Sequence, residues 1–291
     1  MDTATTLQQR TSVSHLQSRG HQSAIYNLED ISQPSTIYRT SVSHLQSTGH
    51  QSAIHNLSVC VAMRGIVLLF LLSLWPGGNV DAINQEVLAN VVQEMRRFGL
   101  ENRQYAMAVL LTQQQCTQNG AIFDVGVQPQ VVQQSLTDDH VYIGIRLIAA
   151  IPDTYHAEYL LLWHDETNPS VMQTLLTAAK PNDCIVFFSN YSPCLERCNV
   201  PNGATSILPF MTVFNGWNAN QMAFVFSSVW DPTRHHTGVT KPTKKQVLDS
   251  FRRIERYLPL YRCVRFQGQN TCYRCVTANT NPETNECLYG Y

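Results

Sequence analysis

Apolar residues recur along this chain in two rhythms, and each rhythm predicts a different kind of element. Val87, Leu88, Val91, Val92, Met95 and Phe98 repeat at helical spacing over 83–98, with Gly99 placed as a C-cap. The runs 105–111 and 140–150 are apolar and partly β-branched, so both read as strands, and the Gln-rich stretch between them reads as a long connection. A helix is expected to open near His156, a second to run over 171–179 between two prolines, and 184–188 to form a short buried strand. Beyond that point, 204–214 reads as a helix, 222–230 as a strand and 244–258 as a basic amphipathic helix. The order α, β, β, α, α, β, α, β, α predicts a mainly parallel sheet whose first two strands are antiparallel. Helices on both faces make it a three-layer α/β/α sandwich.

Residues before 83 follow neither rhythm. The segment 10–28, RTSVSHLQSRGHQSAIYNL, returns almost unchanged at 39–57, and each copy is too polar to bury a face. Residues 1–62 are therefore expected to be a disordered leader. Met63-Arg64-Gly65, the apolar run 66–75, the Pro76-Gly77-Gly78 break and the small residues around Ala82 make a complete export signal over 63–82. Its apolar core would span only about 15 Å as a helix, half of a bilayer core, so no membrane anchor is expected in the mature form. Translation is expected to start at Met63 and the secreted chain at Ile83. That leaves a domain over 83–261 and a Cys-rich tail over 262–291. Export also bears on the nine cysteines, which are numerous for a reducing compartment.

The candidate chemistry lies in two short patterns. A hydrolytic metal site needs three protein ligands and one open position. His156-Ala157-Glu158 and Pro193-Cys194-Leu195-Glu196-Arg197-Cys198 offer an imidazole, two thiols and a carboxylate, a set suited to zinc. Each is expected where a helix begins, a position that favours thiolate over thiol. In a chain of this composition His-x-Glu arises by chance about 0.3 times, but Pro-Cys-x-x-x-Cys only about 0.01 times. His164-Asp165-Glu166 is a rival triplet. It is set aside because Asn168-Pro169 ends the helix behind it, whereas Glu158 is followed by the apolar run 159–163. Cys194 and Cys198 could alternatively be half-cystines. If they ligate metal, Cys116, Cys184, Cys263, Cys272, Cys275 and Cys287 remain from residue 83 onward, enough for three disulfides in any of 15 pairings. Cys272-x-x-Cys275 could also be half of a zinc ribbon.

HAEYLLLW at 156–163, FFSNYSPC at 187–194 and FVFSSVWDP at 224–232 resemble the matching elements of AID/APOBEC-like deaminases. With the export signal and the extra cysteines, the chain most resembles the secreted novel branch of that group, over 83–258. The resemblance implies a cytidine-deaminase-like mixed sheet. It further implies Zn2+ held by His156, Cys194 and Cys198, and Glu158 as proton shuttle rather than ligand. Here three residues separate the cysteines instead of two. The resemblance also implies that Tyr191 and Trp230 lie beside the base, with Arg234 in the loop that borders substrate. The bland alternatives are core packing for the two rings and a solvated loop for Arg234, and for His235 and His236, which point apart and make a poor metal pair. Asn190-Tyr191-Ser192 matches a glycosylation sequon, but its place beside the zinc turn leads us to expect it unmodified.

Charge bears on substrate. From residue 83 onward, 16 Lys and Arg face 17 Asp and Glu, so no overall positive field marks a polynucleotide binder. Ten cations nevertheless crowd 234–274 against only Asp249 and Glu255, as a phosphate track or a solvated helix face would. Three readings follow: a deaminase of cytosine in single-stranded nucleic acid, a deaminase of free cytidine or nucleotide, and a non-catalytic secreted protein stapled by zinc. The resemblance favours the first and implies a role in immune defence.

Overall fold

The computed structural model describes residues 83–266 and 268–291, so the repeats and the export signal lie outside the described residues. Its strands are β1 (Ala106–Leu111), β2 (Val141–Ile143), β3 (Leu147–Ala150), β4 (Cys184–Tyr191), β5 (Met222–Ser228), β6 (Leu260–Phe266) and β7 (Gln269–Arg274). They form one mixed sheet in the order β2-β3-β1-β4-β5-β6-β7. Only the pairs β4/β5 and β5/β6 are parallel, and the other four are antiparallel, which corrects the expectation of a mainly parallel sheet.

The single strand expected over 140–150 is a hairpin, β2 and β3, folded at Gly144-Ile145-Arg146. Gly144 donates its N–H to the Leu147 carbonyl at 2.9 Å, and a Cβ there would lie within 3 Å of the Tyr142 ring. The hairpin therefore depends on a residue with no side chain. Gly99 serves a similar purpose. It is not a left-handed cap, because the helix ends at Arg96 with Arg97 as its C-cap and Gly99 has no positive φ, but an added Cβ would overlap the Tyr105 ring.

Helices α1 (Gln85–Arg96), α2 (Gln113–Thr117), α3 (Pro129–Asp138), α4 (Ala157–Leu162), α5 (Val171–Thr177) and α6 (Lys244–Glu255) cover the sheet. Strand alternation decides which helix meets which face. Ala106, Ala108 and Leu110 of β1 turn toward α4, α5 and α6, while Met107, Val109 and Leu111 turn toward α1 and α3. Phe187 and Phe188 divide in the same way, each fully buried and each worth about 2 kcal/mol of apolar burial. Both faces are covered, and the three-layer α/β/α sandwich follows.

Helices α2 and α3 occupy the Gln-rich connection. A Thr112–Gln115 capping box starts one, and Pro129 in the first turn starts the other. The helix expected over 204–214 is a 3-10 segment, Leu208–Phe214, with Pro209 near its start. Residues beyond 261 do more than form a tail, since most of β6 and all of β7 come from them. Arg96 ties this edge back to α1 through the Asn270 amide oxygen, the Ser227 hydroxyl and the Cys263 carbonyl, at 3.1, 2.9 and 2.7 Å.

All six cysteines left over from the metal motif are paired: Cys116 with Cys184, Cys263 with Cys272, and Cys275 with Cys287. Cys272 and Cys275 thus belong to different disulfides and form no zinc ribbon. Among the described residues no helix is long and apolar enough to cross a membrane.

Candidate functional site

Both chemical motifs sit at strand ends. The chain leaves β3 and reaches His156 at the N-cap position of α4, where the imidazole makes no capping bond and turns toward two cysteines instead. Glu158, in the first turn of α4, is 1% exposed. From the other side β4 ends at Tyr191, and Ser192-Pro193 turns the chain so that Cys194 comes to face His156.

His156 Nδ1 lies 2.9 Å from Cys198 Sγ and 3.7 Å from Cys194 Sγ, and the two sulfurs are 3.4 Å apart. A tetrahedral ion with ordinary zinc bond lengths spaces such donors by about 3.5 to 3.8 Å. The His156–Cys194 separation meets that demand and the other two are shorter, so the three donors converge closely enough that the group could hold a metal ion once they spread slightly around it. One orphaned atom strengthens the fit. Ser189 donates to Glu158 Oε1 at 2.6 Å, while the buried Oε2 has no partner among the described residues. A buried carboxylate oxygen without a donor is costly, and it is expected where a ligand or water completes the site.

The electrostatics arise from these contacts. Cys194 is held far below the usual thiol range, at about 4, chiefly by its hydrogen bond with Cys198 and also by His156. The same contact pushes Cys198 up, so the pair holds one thiolate readily and a second only with a cation present. His156 is raised, mainly by its bond to Cys194. Burial raises Glu158, and the Ser189 hydroxyl opposes that shift.

The local backbone departs from expectation. No helix begins at Cys194, because 195–199 is a turn closed by Asn199 N–H on the Cys194 carbonyl at 3.0 Å. Pro201 and the left-handed Asn202 (φ 61°) prevent it from winding further. The thiolate therefore owes its stabilisation to direct donors, including the Cys198 N–H at 3.3 Å, and not to a helix dipole.

Parallel register brings the aromatic residues together. Tyr191 pairs with Ser228 across β4 and β5, the Ser192 hydroxyl accepts from the Trp230 N–H, and the Tyr191 and Trp230 rings meet edge to face at 5.5 Å. His235 stacks flat on Trp230 at 4.3 Å, a contact absent from the sequence reading. Arg234 is 73% exposed on the same loop, 3.8 Å from Asp231. The rival triplet lies outside this cluster: His164 packs against Phe210 and Glu166 is exposed. Asn190 donates its side-chain amide, the nitrogen a glycan would occupy, to the Arg103 carbonyl.

A mixed α/β sheet with a half-buried histidine and two buried cysteines gathered at its strand ends defines a cytidine-deaminase-like protein. More narrowly, the family model described as Secreted Novel AID/APOBEC-like Deaminase 1 matches residues 85–291, and the chain belongs to that family. No curated protein and no solved structure matches it.

Proposed function

We propose that this protein is a secreted, zinc-dependent hydrolase that converts cytosine to uracil in single-stranded nucleic acid, in the service of immune defence. The observation that carries the reading is the buried Glu158 carboxylate, fixed at Oε1 by Ser189 and left open at Oε2 beside the His156, Cys194 and Cys198 donors. Those three residues would hold the zinc, which supplies Lewis-acid activation of water when bound.

The remaining work belongs to the chain. Glu158 Oε2 takes a proton from the attacking water and passes protons to the ring nitrogen and then to the departing amine. Water adds oxygen at C4, ammonia leaves, and a carbonyl remains. Ser189 keeps the carboxylate from swinging away between transfers. Tyr191 and Trp230 supply a rigid aromatic corner for the base, and Arg234 reaches from the same loop toward solvent. The family name and the three disulfides support secretion.

A second reading, deamination of free cytidine or a nucleotide, is favoured by the charge pattern. Of the ten cations in 234–274, Lys244, Lys245, Arg252 and Arg274 are matched by carboxylates away from the aromatic corner.

The test separates shuttle from ligand. Glu158→Ala should keep zinc and the melting temperature while ammonia release from cytosine substrates falls by about 10² or more, and Glu166→Ala should change neither. Activity that survives in Glu158→Ala would rule out the assignment.

A further inference from the structure

Beside the aromatic corner lies a small cavity of about 80 Å³, walled by Ser228, Asp231, Arg234, Lys241, Arg262 and Tyr291. The space admits several water-sized groups, enough for one tetrahedral oxyanion.

Its charges do not balance. Lys241 and Arg234 share the single carboxylate of Asp231, at 2.9 and 3.8 Å. Arg262 has no acidic partner among the described residues. It donates from Nε to the Ser227 carbonyl and from Nη1 to the carbonyls of Cys287 and Tyr289, at 3.1, 3.1 and 2.7 Å. Those bonds hold the guanidinium in place, half-buried, and leave Nη2 without a protein acceptor among the described residues. Three cationic side chains thus face one side-chain carboxylate, Lys241 lying also over the Tyr291 ring at 4.3 Å, and a half-buried guanidinium such as Arg262 without a counter-charge is costly. Arg96, the other half-buried arginine of this edge, differs because both its Nη atoms donate to protein acceptors.

The position of the cavity gives the excess charge a use. It opens at Ser228, the register partner of Tyr191, and Asp231 directly follows Trp230. A group attached to the sugar of a base held by Tyr191 and Trp230 would lie near it. We propose that this cavity binds a phosphate of the substrate, with Lys241, Arg262 and Arg234 as its cations, so that the protein acts on phosphorylated nucleotides or strands and discriminates against the bare nucleoside. The purpose of the site rests on the deaminase reading, but its existence does not.

The test is calorimetry on the intact, zinc-loaded protein at low salt with cytidine, cytidine 5′-monophosphate and a short single-stranded oligonucleotide containing one cytosine, with inorganic phosphate as competitor. At least one phosphorylated ligand should bind about tenfold or more tightly than cytidine, as expected for charge-assisted bonds to an oxyanion, and phosphate should compete with it. A gain shared by the monophosphate and the oligonucleotide identifies a 5′-phosphate, and a gain confined to the oligonucleotide identifies a phosphate between nucleotides. Lys241→Gln should shrink the gain by about threefold or more and leave cytidine affinity unchanged, and the exposed Arg234→Gln should shrink the gain by a similar factor, with melting curves as the check on folding. Equal affinity for all three ligands, or a gain that survives both substitutions, overturns the proposal. Ammonia release is measured alongside. Phosphate-dependent binding without ammonia would sink the deaminase reading and leave the site standing, whereas ammonia release with equal affinities would do the reverse.

Discussion

The two faces of the sheet are built from alternate residues of the same strands, yet they differ in kind. On the side of α1 and α3, the packing around Leu88, Val92, Val109 and Phe188 is apolar, with the Arg96 guanidinium laid over the Phe188 ring at its edge. On the other side, α4, α5 and α6 enclose an equally tight core, but Glu158, Ser189 and the two site thiols sit within or against it. There Ser189 donates to Glu158 Oε1 and the Cys198 N–H to the Cys194 sulfur, while Glu158 Oε2 is left without a partner among the described residues. The contrast shows that stability can be concentrated on one face while the other bears the cost of keeping an unsatisfied carboxylate.

Substituting the donors should break that contrast most completely. His156→Ala, Cys194→Ala and Cys198→Ala should each eliminate stoichiometric zinc as read by metal analysis, because the proposed site has only these three protein donors. Full metal content in all three would place the ion elsewhere. Next in size is the disulfide from Cys116 to Cys184, which closes 68 residues. Replacing the pair with alanine should cost about 4 kcal/mol in denaturant unfolding, against about 3 kcal/mol for the 12-residue Cys275–Cys287 link, with zinc retained in both. Leu88→Ala probes the apolar face. It should cost about 3 kcal/mol while zinc content and turnover per folded molecule stay unchanged, and a selective loss of turnover would show that the faces are coupled.

The smallest effect is electrostatic. Asp231 is held at about 2, below its ordinary 3.8, first by the Thr233 hydroxyl and then by Lys241. A depressed carboxyl stabilises the fold above its ordinary pKa, and that contribution is lost as pH falls toward 2. Asp231→Asn should therefore be less stable than the parent at neutral pH, with the gap closing between pH 3.8 and 2 in acid unfolding.

How much of this was legible in the sequence depended on how far apart the cooperating residues are. α1, β1, β4, β5 and α6 follow from local apolar rhythm, and the His-x-Glu and Pro-Cys-x-x-x-Cys motifs from local spacing. α2 and α3 were hidden because glutamines give no apolar stripe, although Thr112, Gln115 and Pro129 carried helix-start signals. β6 was hidden because Arg262 and Arg265 interrupt its apolar run while lying among the residues of a paired strand. Ser189 reaches Glu158 across 31 positions because α4 packs on the sheet, and Arg262 reaches the Ser227 carbonyl across 35 through the register of β5 and β6. No window of sequence contains such pairs.

The parallel alignment of β4 with β5 has an evolutionary consequence. Both strands discharge their chains at the same edge, so the thiol-bearing turn after Tyr191 and the segment 229–241 after Ser228 are neighbours that share little covalent dependence. Past Trp230, whose N–H is bonded to the Ser192 hydroxyl, the second can be lengthened, shortened or exchanged without rebuilding the first. A descendant could acquire a new preference in what it accepts while inheriting its hydrolytic apparatus intact, and a protein engineer could graft foreign segments between Trp230 and Lys241 by the same route.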